Sequence, residues 1–155
     1  MIPPTLAVPP VLQNVGERRT YDHEYVRSMF DTIAHRYDFL NHFLSSGIDV
    51  FWRKKAIGLL APFHPETILD VATGTADLAI QAATNINCKV VGVDISPKML
   101  EIGQAKISGM SLSGKISLLE GSAESLQFDS SSFDAVMVAF GVRNFSDLRR
   151  GLSEM

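Results

Sequence analysis

The residues best equipped for chemistry lie in "DVATGTAD", Asp70 to Asp77, and at Asp94. The octapeptide stands between two apolar runs, as a loop joining a strand to a helix does. Gly74 lets the backbone approach a ligand or take a dihedral other residues avoid. Thr75 offers a hydroxyl, and Asp77 a charge. Asp94 ends the next apolar run, twenty residues beyond Gly74, the spacing at which an acid reaches back to the ribose of a nucleoside. A carboxylate suits that task because it accepts two hydrogen bonds from a vicinal diol. Dinucleotide loops are richer in glycine, and Ala72 and Ala76 stand where such a loop wants it. Asp77 further opposes a pyrophosphate at this helix start. A ligand with a ribose, no phosphate and a cationic reacting centre fits better, and S-adenosylmethionine is such a molecule. Its amino group and sulfonium tolerate Asp70 and Asp77 nearby, and its carboxylate has loop amides to meet. Each residue also has a plainer reading alone: a turn glycine, a charge at a helix start, a turn former at a strand end. The ordered set favours a ligand.

Elements with the right signals surround these residues. "TILDVA", "KVVGVD", "KISLLEG" and "SFDAVMVAF" read as buried strands, "DLAIQAATN" and "SPKMLEIGQAKIS" as helices. Ser96 is the expected N-cap of the second of these helices, with Pro97 at its first position. A last helix begins in "SDLRRGLSEM", capped by Ser146. Two helices precede the strands. In the first, Val26, Met29, Phe30, Ile33, Tyr37 and Leu40 recur at three- and four-residue steps. Asn41 and "SSG" at 45–47 are its expected interruption and stop. Asp49 is placed to cap "VFWRKKAIGLL", which Pro62 should end. Strands alternating with helices predict an α/β fold, a mostly parallel sheet with helices on both faces.

The 155 residues, 46% hydrophobic and 20% charged with a net charge of -3, predict one core and no general attraction to nucleic acid. No apolar run approaches the ~20 residues of a spanning helix. The proline-broken opening is unlike a signal peptide, and Cys88, the single cysteine, fits a reducing compartment. His23, His42 and His64 lack partners at metal-ligand spacing, so no metal site is expected. The expected organisation is a Pro-rich lead-in over 1–24, a helical lid over 25–62 and a nucleoside-binding domain over 63–155. The chain ends at a helix that ordinarily crosses to another parallel strand, which predicts a truncated domain.

"MFDTIAHRYDFLNHFLSSGIDVFWRKKAI", "ILDVATGTADLAI", "VVGVDISPKMLEIG" and "GSAESLQFDSSSFDAVMVAFGVRNFSD" together resemble the UbiE/MenG family of quinone C-methyltransferases. "RYDFLN" before "WR", and "FGVRN" after the fourth strand, are its distinctive words. The resemblance implies a class I S-adenosylmethionine-dependent, Rossmann-like fold with strands ordered 3-2-1-4, the remaining strands missing. It implies C-methylation of a demethylmenaquinol, or in some members of a ubiquinone precursor. Asp70, Gly74, Thr75 and Asp94 then belong to the cofactor site, and Ser122 and Ala123 to its adenine end.

Methylating a quinol carbon requires alignment and stabilisation of a developing phenolate. Arg143, following the fourth strand, is the first choice for the phenolate, with Asn144 orienting it or bonding the same oxygen. A strand-end salt bridge is the alternative reading of Arg143. Tyr37 and His35 sit on the expected lid, Tyr37 as aromatic surface and His35 as a general base; both also fit ordinary packing or helix surface. Arg36, Arg53, Lys54 and Lys55 are solvated faces or contacts to anionic lipid. The expected partner is a prenylated quinol at the membrane surface, the expected location cytoplasmic or peripheral to the inner face, with self-association left open. An NAD oxidoreductase and a non-catalytic nucleoside-binding protein are the rival classes.

Overall fold

The computed structural model describes residues 23–44 and 48–155, and of 38–44 and 49 the backbone only. The lead-in over 1–22 and the stop at 45–47 therefore lie outside the described residues. Helix α1 spans His23–Leu44 and α2 Ile48–Leu60. A 3-10 turn carrying Pro62 follows and ends α2 as expected. His23 and Glu24, at the end of the expected lead-in, are helical. Asn41 interrupts nothing, since one asparagine costs a long helix only a few tenths of a kcal/mol. Asp49 lies inside α2, which starts one residue earlier, so it is not the cap.

The core alternates as predicted: β1 (Thr67–Val71), α3 (Asp77–Asn85), β2 (Lys89–Asp94), α4 (Pro97–Gly109), β3 (Ile116–Glu120), β4 (Ala135–Val138) and α5 (Leu148–Glu154). All pairings are parallel, in the order β3-β2-β1-β4. Asp134 fixes the register at the entry edge, accepting from the Glu66 and Thr67 amides at 3.0 and 2.8 Å and the Thr67 hydroxyl at 2.9 Å. These donors hold its carboxyl below the usual range. Ser96 caps α4, accepting from the Met99 amide at 3.2 Å, with Pro97 behind it. The cap of α5 is Asp147, not Ser146. Its carboxylate accepts from the Arg150 amide at 3.0 Å, and its extended backbone suits the position.

One face of the sheet packs Ile68 and Val90 against α2, α3 and α4 through Ile57, Leu78, Ala79 and Ile107. The other face departs from the expected helical layer. Leu69, Val71 and Val93 are covered there by loop side chains, Phe128, Phe133 and Phe145 among them. Phe128 and Phe133 meet edge to face at 5.0 Å. No described helix is long and apolar enough to cross a membrane.

Candidate functional site

At the carboxyl edge of the strands the chain turns sharply three times within five residues. Ala72, Gly74 and Ala76 all take positive φ, 54°, 59° and 65°. Left-handed alanine costs roughly 1–2 kcal/mol, so packing imposes this path at two of the three positions. Thr73 donates its amide to Val93 O at 3.0 Å and its hydroxyl to Asp70 Oδ2 at 2.6 Å. Asp94 reaches across from β2. Its Oδ2 accepts from the Gly74 amide at 2.8 Å and its Oδ1 from the Ser96 amide at 2.9 Å. The twenty-residue spacing thus serves the fold directly, because the carboxylate braces the loop. Burial raises the proton affinity of Asp94; the Ser96, Gly74 and Ile95 amides oppose that rise and the Asp31 charge adds to it.

A cavity opens over this brace. Gly74, Asp94, Ser122, Ala123, Tyr37 and Asn144, all singled out by sequence, line it together. A carboxylate has about four lone-pair positions. The Gly74 and Ser96 hydrogen bonds use one on each oxygen and the Ile95 amide also bears on it, which leaves acceptor capacity for a further donor. The Ser122 hydroxyl accepts from the Glu124 amide at 3.1 Å, which fixes the bend beside Ala123.

Four predicted residues stand elsewhere. Asp70 is buried behind the loop, where it accepts from Thr73; burial pushes its carboxyl up to about 7, Thr73 opposing and the Asp94 charge adding. Thr75 is buried and turned toward Lys106, whose Nζ stands 3.0 Å from its hydroxyl. The same Nζ donates to Asp77 Oδ1 at 2.7 Å, and Arg53 of α2 donates to Asp77 Oδ2 at 3.2 Å. Asp77 is therefore a cross-brace among α2, α3 and α4. Arg143 is exposed in the 3-10 turn Gly141–Asn144, and His35 is exposed on α1; neither lines the cavity. Among the described residues no cluster of three or more His, Cys, Asp or Glu is arranged to hold a metal ion.

Several wall residues escaped the sequence reading. His23, Val26 and Phe30 of α1, and Phe140 and Phe145 after β4, line the cavity. The α1 stripe was visible as periodicity, but periodicity does not say whether a face meets a core or a cavity. Phe30 and Tyr37 meet edge to face at 5.8 Å across two turns of it. Phe140 takes φ 61° although aromatic, a strained conformation of the kind found at functional sites. The next residue allows close approach: a Cβ on Gly141 would stand 2.3 Å from the Ala72 Cβ. Gly141→Ala should therefore cost roughly 1–3 kcal/mol of stability, and adding Ala72→Gly should recover most of it. Urea midpoints of the two single variants and the double variant measure this. An equal loss in the double variant would mean that this contact is not the cause.

The sequence profile of the ubiE/COQ5 methyltransferase family matches residues 18–155. Demethylmenaquinone methyltransferase of Bacteroides fragilis is 52% identical over 133 residues, covering 85% of this chain and 54% of that protein. The ubiquinone/menaquinone biosynthesis C-methyltransferase UbiE of Geotalea uraniireducens is 45% identical over 134 residues, 85% of this chain and 57% of that protein. The chain spans about half the length of the curated relatives it matches. Among solved structures, a SAM-dependent methyltransferase from Thermotoga maritima superposes with a TM-score of 0.60 at 23% identity, over 83% of this chain and 54% of that one. The fold is the Rossmann-like fold of class I S-adenosylmethionine-dependent methyltransferases. The profile, the identity to these relatives and the shared fold agree that the chain belongs to the ubiE/COQ5 methyltransferase family.

Proposed function

We propose that the protein holds S-adenosylmethionine in this cavity and uses it to C-methylate a demethylmenaquinol. The observation that carries this is the Asp94–Gly74 pair at the cavity wall. Asp94 retains acceptor capacity for ribose hydroxyls beyond the loop amides it holds. A Cβ on Gly74 would meet nothing within 4 Å, so the space beside this backbone is open to a ligand. Val93, Ile95 and Met99 add apolar wall suited to a nucleoside. Membership of a family whose relatives are named for quinone methylation supplies the substrate class.

Bound here, the cofactor supplies an electrophilic methyl on a sulfonium that departs as a neutral thioether. The protein's part is alignment and charge. Phe30 and Tyr37 give an aromatic wall for a quinol ring. Asn144, which lines the cavity, is better placed than the exposed Arg143 to bond the quinol oxygen. Such a donor contributes on the order of 2.7–4 kcal/mol when it meets developing negative charge. His35 has no part in this reading. Helix α1 acts as the lid, shielding the reacting groups from water.

The face of α2 suits a substrate dissolved in lipid. Phe51 and Trp52 are 62% and 53% exposed and meet edge to face at 5.9 Å. Lys55 Nζ lies 5.1 Å from the centre of the Trp52 ring, with exposed Lys54 beside it. Aromatic rings beside ammonium groups fit the headgroup boundary of an anionic leaflet. These side chains support the reading of peripheral contact with the inner face of the membrane.

Calorimetry should show binding of S-adenosylmethionine and none of NAD. Transfer of labelled methyl should follow with demethylmenaquinol in anionic vesicles, with a benzoquinol precursor as the second substrate to try. Lys54→Glu with Lys55→Glu should slow the vesicle reaction roughly tenfold or more while sparing a short-chain quinol in solution. Binding without transfer to either quinol would favour a non-catalytic nucleoside-binding protein. NAD binding would end the proposal.

A further inference from the structure

Three polar residues of α1 stand at four-residue steps, and each meets a different segment at the carboxyl edge of the sheet. His23 Nε2 lies 3.2 Å from Glu124 Oε2, and Arg27 pairs with Glu120 at 3.1 Å. Arg27 and Glu120 are both exposed, so that pair holds the helix weakly; His23 is exposed but meets a buried Glu124. Asp31 differs. Its Oδ1 accepts the hydroxyl of Ser96 at 2.6 Å, and Ser96 is completely buried.

Every polar atom that Ser96 presents is thereby directed. The hydroxyl proton goes to Asp31. The hydroxyl oxygen accepts the Met99 amide at 3.2 Å, closing the first turn of α4. The Ser96 amide goes to Asp94 Oδ1 at 2.9 Å, and the other oxygen of Asp94 holds the Gly74 amide at 2.8 Å. An unbroken path of hydrogen bonds therefore runs from α1, through the cap of α4, to the carboxylate in the cavity wall. A hydroxyl is a rotor. Without an acceptor on α1 it turns elsewhere, loosening both the cap and the amide that aims Asp94.

We propose that Asp31 is a positioning residue for the cofactor-binding carboxylate, so that seating of α1 over the cavity and binding of the S-adenosyl ligand reinforce one another. This rests on the assignment of the cavity to S-adenosylmethionine. Two sites biased by one shared element are reciprocally coupled: a ligand that fixes Asp94 favours the seated helix, and the seated helix favours the ligand.

The test combines calorimetry with S-adenosylhomocysteine and hydrogen exchange on the whole chain. In the unchanged protein, ligand should slow exchange across residues 23–37. Asp31→Ala, which loses the Ser96 hydrogen bond and a longer one from the Lys98 amide at 3.4 Å, should bind roughly tenfold more weakly. It should also lose the slowing in α1. Asp31→Asn keeps an acceptor for Ser96 and should recover most of both. Arg27→Ala, which breaks only an exposed pair, should change neither by more than about twofold. Asp31→Ala with unchanged affinity and unchanged α1 protection would overturn the proposal, as would an Arg27→Ala variant as impaired as Asp31→Ala. If the unchanged protein bound no S-adenosyl ligand, the cofactor assignment itself would fail. The Asp31 path would then be judged on ligand-free exchange of the Gly74 and Ser96 amides: faster exchange in Asp31→Ala supports it, and unchanged exchange overturns it.

Discussion

Replacing Asp94 with alanine should weaken S-adenosylmethionine binding by at least about a hundredfold. A diol on this carboxylate forms two hydrogen bonds to a charged acceptor, each contributing about 1.5–3 kcal/mol. Their sum, about 3–6 kcal/mol, corresponds to two decades or more in affinity. The loss extends beyond the ligand contacts, because the same side chain braces the loop through the Gly74 and Ser96 amides. Asparagine should not rescue the site. Whichever way its amide turns, its NH2 faces one of those two N–H donors, and a buried donor against a donor leaves both unsatisfied. Asp94→Asn should therefore bind nearly as poorly as Asp94→Ala, although it has the same shape. Calorimetry reads the affinities, and a melting scan separates loss of ligand from loss of fold. Undiminished binding in either folded variant would place the sugar elsewhere and remove the central support of the proposed function.

The contrast between Asp94 and Thr75 shows what could be read from the chain before folding and what could not. The alternation of strands and helices was legible because each element carries its own local signals: apolar runs of strand length, Ser96 and Pro97 opening α4, Pro62 closing α2. Their order in the sheet came through resemblance to a family, and the structure agrees. Asp94 was legible because a strand end fixes where its side chain starts. Thr75 lies in a loop whose direction is set by left-handed backbone at Ala72, Gly74 and Ala76. Only the glycine announces such a conformation; the alanines adopt it under tertiary constraint. With that path, the Thr75 hydroxyl turns to Lys106 and away from the cavity.

The same limit explains Arg143 and Asn144. A 3-10 turn advances about 120° per residue, so adjacent residues differ sharply in direction, and the entry to this turn is a left-handed Phe140 that no propensity foretells. For the unexpected cover on the second sheet face, the aromatic residues were visible but their destination was not. Phe128 and Phe133 lie in the segment between β3 and β4, where spacing does not say which side of the sheet they will cover.

Stability should fall as pH rises from about 4 to about 7, and Asp70→Asn should remove most of that fall. Asp70 is fully buried in β1, and its carboxyl is raised from 3.8 to about 7, chiefly because burial penalises the charged form. The unfolded chain gives up this proton near 3.8 while the fold still holds it. Across the interval the native state thus binds more protons than the unfolded state, and unfolding free energy declines with increasing pH. The favourable contribution is complete below 3.8 and lost above about 7. A difference of about three units corresponds to a change on the order of 4 kcal/mol. Asparagine cannot titrate, yet its carbonyl oxygen can accept the Thr73 hydroxyl now held at 2.6 Å. A residual decline of the same sign should persist in Asp70→Asn, because Asp94 is also raised by burial. Chemical denaturation of both proteins at half-unit steps from pH 4 to pH 8 provides the measurement. Parallel curves would mean that Asp70 is ionised in the fold throughout this range, and the charge would then have to be stabilised by something other than Thr73 and the Ala79 amide.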